Sequence, residues 1–213
     1  MSLRVALRGL FITFEGIEHC GKTTQAVRLV ESLRSVGHEV VMTREPGGTT
    51  IGAAIRELVL HSKEQIDTVS ELLLFAADRA QHVRTLILPA LERGAIVISD
   101  RFHDSTRAYQ GWGRGIDTAL IDRAIALATD GLDPDLTVLM DIDVPTSRSR
   151  GDDASDRIEQ DSDVFFTKVR DGFLAIARGS QDRTIVIDGT LSIERVASKI
   201  REAVGEHLAS VST

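Results

Sequence analysis

The sequence predicts an α/β fold, a central five-stranded parallel sheet flanked by helices, and three observations predict it. Five short, almost wholly apolar runs are spaced along the 213 residues, at Leu10–Phe14, Glu39–Met42, Ala95–Ser99, Leu136–Asp141 and Thr184–Ile187. Runs without polar alternation suit parallel strands covered on both faces. Segments of helical period lie between the runs, the alternation that builds a parallel sheet. The first run opens into a glycine-rich turn and then a helix, which places a ligand at the carboxyl end of a strand.

Leu10–Phe14 and Glu15 lead into Gly16-Ile17-Glu18-His19-Cys20-Gly21-Lys22-Thr23, then Thr24. This is the phosphate-loop pattern G-x-x-x-x-G-K-[ST] in its required strand–turn–helix context. Glycines let successive backbone N–H groups turn toward one anion, and the positive end of the following helix adds to them. Lys22 is placed to reach the β- and γ-phosphates, and the Thr23 hydroxyl to hold Mg²⁺. The helix is read from Ala26, Leu29, Val30 and Leu33, with Gly37 at its C-cap.

The second run ends in Thr43-Arg44-Glu45-Pro46-Gly47-Gly48-Thr49. Pro46 fixes φ and Gly47-Gly48 permits positive φ, so the chain turns sharply and leaves Arg44 at the crevice. A bidentate phosphate contact and an ordinary turn beside a solvated arginine both fit. On the next helix, Phe75, Arg79 and His82 share a face. That is either a stacking plate beside a hydrogen-bond fork, suited to a nucleobase, or a core Phe beside surface polar groups.

The third run ends in Ile98-Ser99-Asp100-Arg101-Phe102, with Asp104, Ser105, Tyr109, Gln110 and Gly111 after it. Asp100 at a strand tip could hold Mg²⁺ through water, or cap the next helix. Arg101, Ser105 and Tyr109 fall on one face if the segment is helical. After the fourth run, Arg148, Arg150 and Arg157 bracket Ser149–Ser155, a polar segment read as a mobile loop. These arginines either swing over a transferring phosphoryl group or pair with Asp152, Asp153 and Asp156. Ile193, Val196, Ala197, Ile200, Ala203 and Val204 mark the last helix.

The bulk numbers narrow the field. A length of 213 residues suits one domain with a full core. The net charge of −7 argues against a general nucleic-acid or membrane-surface binder, so a polyanionic ligand must meet local Arg and Lys. No apolar run approaches membrane-spanning length, and Met1–Gly9 is too short and weakly apolar for a secretory signal. The single cysteine, Cys20, excludes an internal disulfide and fits a reducing, cytoplasmic compartment.

Taken together, Phe14-Glu15-Gly16, the Gly21–Gln25 block, TREPGGT, Leu73–His82, SDRF with DS and AYQG, and Asp156–Gln160 resemble the thymidylate kinase family, in order, from about Leu10 to Ile200. The resemblance implies a single three-layer P-loop NTPase domain over 1–213, with an N-terminal extension at 1–9 and a lid at about 148–157. It implies transfer of the γ-phosphoryl group of ATP to dTMP, Mg²⁺ as cofactor, and a homodimer. Gly16 to Thr24 would hold ATP, with Glu18 also binding the deoxyribose 3′-hydroxyl. Arg44 and Arg101 would grip the dTMP phosphate, Phe75 would stack on thymine, and Arg79 would bond its O4. Ser105 and Gln110 would lie near the base edge, and Tyr109 would crowd a ribose 2′-hydroxyl. Lys22, Asp100, Arg101, Arg148 and Arg150 would be catalytic.

Two loop residues depart from the family. One family group carries a basic residue at the His19 position and the other a glycine with lid arginines. Arg148 and Arg150 fit the lid type, although Asp152 stands where another lid arginine often occurs. His19 therefore reads as a tolerated substitution. Cys20, in place of a small alanine, reads either as an apolar packing group or as a thiol sensitised by nearby amides.

Overall fold

The computed structural model describes residues 9–151 and 156–211. Most of the expected N-terminal extension, and Asp152 to Ser155 of the expected lid, therefore lie outside the described residues. Five parallel strands form one sheet: β1 (Phe11–Glu15), β2 (Val40–Arg44), β3 (Ile96–Asp100), β4 (Leu136–Asp141) and β5 (Thr184–Asp188), in the order β2-β3-β1-β4-β5. Four of the five strands run one or two residues further than their apolar stretches. Glu15, Arg44 and Asp100 thus become the last residues of ladders, and Arg44 pairs in register with Asp100. Backbone pairing does not require an apolar side chain, so hydrophobicity under-reads strand ends that face a crevice.

The helices are α1 (Lys22–Ser35), α2 (Thr50–His61), α3 (Thr68–His82), α4 (Leu88–Glu92), α5 (His103–Thr106), α6 (Thr118–Thr129), α7 (Val144–Arg150), α8 (Asp163–Gly179) and α9 (Ile193–Val211). α1 closes as expected. Gly37 takes φ 96°, and the amides of Gly37 and His38 return to the carbonyls of Arg34 and Leu33. The sheet is covered on both faces. Ile12, Phe14, Ile96 and Ile98 join one apolar cluster with Ala26, Leu29 and Val30 of α1. Phe11 and Val97 join a second with Val83, Ile87, Leu91 and Phe102. Thr13 interrupts this apolar strand without penalty because its hydroxyl bonds that of Thr137 across the ladder at 3.0 Å.

Two local readings need correction. Arg101 lies outside any helix, at φ 72°, because its amide donates to Phe14 O and the next amide, Phe102, donates to Glu15 Oε1. Beyond α5 the chain widens into a π-helical turn at Arg107–Gly113, so Tyr109 and Gln110, though consecutive, both line the same cavity. Such widened turns recur at functional sites. Ser149 and Arg150, expected in a loop, form the end of α7, which Asp143 starts by accepting from Thr146 N.

Candidate active site

The phosphate loop is built from backbone. Gly16 and Gly21 take φ 138° and 95°. A Cβ on Gly16 would sit 2.4 Å from Met140 O, so only glycine lets the loop pass β4. No side chain caps α1, which leaves its first-turn amides facing the cleft. Lys22 is buried, its Nζ donating to Gly16 O (3.1 Å) and Ile17 O (2.7 Å) and lying 3.5 Å from Cys20 Sγ. The Thr23 hydroxyl donates to Asp100 Oδ2 at 2.5 Å. This joins a hydroxyl and a carboxylate, hard oxygen ligands of the kind Mg²⁺ takes. Among the described residues no group of three or more His, Cys, Asp or Glu gathers as a metal cage.

Both odd loop residues have structural positions. Cys20 is 1% exposed and part of the apolar cluster, which fits the packing reading. His19 takes φ 55°, its Nε2 lying 3.8 Å from Glu159 Oε1. Its ring lies so close to the end of α7 that a Cβ on Gly151 would meet Nε2 at 2.6 Å.

Across the cleft, one cavity is lined by Glu18, His19, Lys22 and Thr23 on the loop side. Arg44, Phe75, Arg79, Arg101, Ser105, Tyr109 and Gln110 line the other. Arg101 spans the two. Its Nη1 donates to Gly16 O (2.9 Å) and Ser105 Oγ (3.1 Å), and its Nη2 to Glu18 Oε1 (2.7 Å) and Tyr109 Oη (3.2 Å). Burial alone would lower its pKa, but Tyr109, Glu18 and Asp100 outweigh it and keep the guanidinium charged. The Tyr109 hydroxyl donates to Glu18.

Arg79 reaches the cavity from α3, held by Glu45 Oε2 (2.7 Å), Thr106 Oγ1 (2.8 Å) and Phe102 O (3.0 Å). His82, its helix neighbour, places Nδ1 2.9 Å from Glu45 Oε1 and Nε2 2.6 Å from Thr43 Oγ1. Burial would raise the Glu45 pKa, but Arg79 and His82 outweigh it and the carboxylate is held below its usual range.

The lid arginines separate. Arg150 donates to Gly189 O and lines a second cavity with Gly21, Thr24, Leu191 and Ile193. Arg148 lines neither cavity. Its guanidinium is committed to Asp163, Glu159 O and Asp161 O, and lies over the Phe166 ring. α7 turns Arg148 toward the start of α8 and away from both cavities. Arg157 is drawn to Glu71 and to Val59 O.

Sequence reasoning missed four residues. Arg56 of α2 lines the main cavity, its Nη1 bonded to Pro46 O at 3.0 Å. Burial, then the charges of Arg44 and Arg101, lower its pKa, as expected where guanidiniums crowd around an anion site. Its signal was the Gly52–Arg56–Val59 periodicity. Glu15, Glu45 and Glu71, all buried carboxylates, position the residues that were found. Nothing in local composition marks them.

The family model described as thymidylate kinase matches residues 14–200. A thymidylate kinase of Sulfurihydrogenibium sp. is 49% identical over 189 residues, covering 88% of this chain and 93% of its own. One of Nostoc sp. is 47% identical over 205 residues, covering 94% and 97%. A crystal structure of thymidylate kinase from Ehrlichia chaffeensis superposes with a TM-score of 0.77 at 39% identity, covering 92% of this chain and 99% of that one. The chain belongs to the thymidylate kinase family.

Proposed function

We propose that this chain transfers the γ-phosphoryl group of ATP to dTMP, giving dTDP and ADP. One observation carries the reading: a single cavity has a phosphate loop on one wall and four arginines, a half-buried Phe and a buried amide on the other. A hydrolase or a nucleotide-gated switch has no use for the second wall.

The loop amides and Lys22 take the β- and γ-phosphates, and Arg44, Arg56 and Arg101 surround the dTMP phosphate. An acceptor phosphate oxygen bonds to the γ-phosphorus as the bond to the β–γ bridging oxygen breaks. Because that oxygen is already anionic, the protein aligns the partners and offsets spreading charge instead of removing a proton. Thr23 and Asp100, the latter through water, fit Mg²⁺, which when bound neutralises phosphate charge. Phe75 stacks on the base, Arg79 bonds its 4-keto oxygen, and Glu18 takes the 3′-hydroxyl. Tyr109, held on Glu18, occupies the space of a 2′-hydroxyl. Ser105 supports Arg101, and Arg150 acts from the ATP side.

The working form is a homodimer and the whole chain one kinase domain. Ile51 and Leu58 of α2, Leu73 of α3, and Leu120 and Leu127 of α6 are exposed on helices that pack side by side, which supports this assembly. Among the described residues no helix is long and apolar enough to cross a membrane.

ADP release measured with dTMP, dUMP, UMP, dCMP, AMP and thymidine as acceptors tests the assignment. dTMP should be preferred, and a clear preference for another acceptor, or ADP release needing none, overturns it.

A further inference from the structure

We infer that Glu71, a buried residue of α3 that does not line the cavity, sets base specificity by fixing which end of the Gln110 amide faces that cavity. The inference rests on the thymidylate reading of the acceptor site. It begins with hydrogen-bond inventory. A glutamine amide has a donor end and an acceptor end of nearly equal shape, so its orientation is decided by its neighbours. Gln110 is 2% exposed, and its Nε2 donates to Glu71 Oε1 at 2.9 Å.

Glu71 can only accept. Its Oε1 also receives Arg114 Nε (3.2 Å), and its Oε2 receives Arg157 Nη2. Burial would raise its pKa, but the bonds from Gln110 and Arg157 and the charge of Arg114 outweigh it and keep the carboxylate ionised. Turning the Gln110 amide over would set two oxygens against each other in a buried site. The NH₂ end is therefore pinned to Glu71, and the carbonyl oxygen is the end that Gln110 offers to the cavity it lines.

The cavity edge then reads donor from Arg79 and acceptor from Gln110. A 4-keto pyrimidine with a hydrogen on N3 offers the complement, acceptor then donor. Cytosine offers the reverse at both positions. Glu71 thus adds to the rejection of cytosine by Arg79, by denying Gln110 the flip that would serve cytosine N3. A neutral glutamine at position 71 can donate as well as accept, and restores that freedom.

The test is a comparison of kcat/KM for dTMP and dCMP in wild type, Glu71→Gln, Gln110→Ala and the double variant. Glu71→Gln should lower the dTMP-to-dCMP ratio by about tenfold, the scale of one buried hydrogen bond. In the Gln110→Ala background the same change should leave the ratio within about twofold, since Glu71 acts through Gln110. A folded Glu71→Gln enzyme with the wild-type ratio overturns the inference, as does a shift that persists without Gln110. Should Glu71→Gln fail to fold, wild type decides with N3-methyl-dTMP, which lacks the donor. Turnover equal to that of dTMP overturns the inference, and a loss of about tenfold or more supports it. A wild type with no preference for dTMP over dCMP overturns the thymidylate reading itself, a distinguishable result.

Discussion

The two walls of the cleft, each proposed to hold a phosphorylated nucleotide, are built from opposite materials. The phosphate loop works through glycine backbone and uncapped amides. The acceptor wall works through side chains, three of them clamped by buried carboxylates: Arg79 by Glu45, Gln110 by Glu71, and Ser105 by Glu15 at 2.6 Å. A backbone site tolerates side-chain change, which is why His19 and Cys20 can stand in the loop. A side-chain site does not, since removing one member of a buried ion pair leaves the other uncompensated.

The sharpest way to break this contrast is Glu45→Ala. It strands Arg79 and His82 in the interior and should cost about 3–5 kcal/mol of stability, read by urea unfolding. An unchanged midpoint would show that the acceptor wall does not depend on its carboxylates. Lys22→Ala tests the other wall. It should lower kcat by roughly 10²–10³, about 3–4 kcal/mol, with dTMP affinity by calorimetry nearly unchanged. A parallel loss of dTMP binding would mean that the walls are not separable.

Glu15 tests the support of Ser105 by pH. Burial, reinforced by Asp104, pushes its pKa from 4.5 up to about 7. A raised carboxylate pKa means its stabilising contribution is complete below pH 4.5 and is lost as pH rises through about 7. Glu15→Gln does not ionise, so its stability relative to wild type should improve by about 3 kcal/mol across that window. A difference that is flat with pH would remove the argument. The smallest effect belongs to the loop. His19→Gly relieves a non-glycine φ of 55° and should change stability by no more than about 1 kcal/mol, in thermal melts.

The same contrast explains what could be read in advance. The five strands, the phosphate loop and the crevice they create follow from local patterns: an apolar run, a glycine spacing, a helix period. Arg44, Asp100 and Phe75 were legible as candidates but carried a bland alternative each, and only the resemblance chose between them. Glu45 and Glu71 were not legible at all. Their meaning lies in contacts across 34 and 39 residues of chain, to Arg79 and Gln110. The partners of Arg148 were hidden for a related reason, because spacing placed it near a lid but did not show which way α7 would turn it.

Arg101 joins the two walls. It bonds the Gly16 carbonyl of one and the Ser105 hydroxyl of the other through a single nitrogen. Any ligand that recruits this guanidinium must alter its hold on the opposite platform. Binding free energies are reciprocal, so whatever dTMP does to nucleotide affinity at the loop, the nucleotide returns to dTMP in equal measure. Through this one side chain the two adjacent subsites share a hydrogen-bond partner, the route by which such a linkage would run.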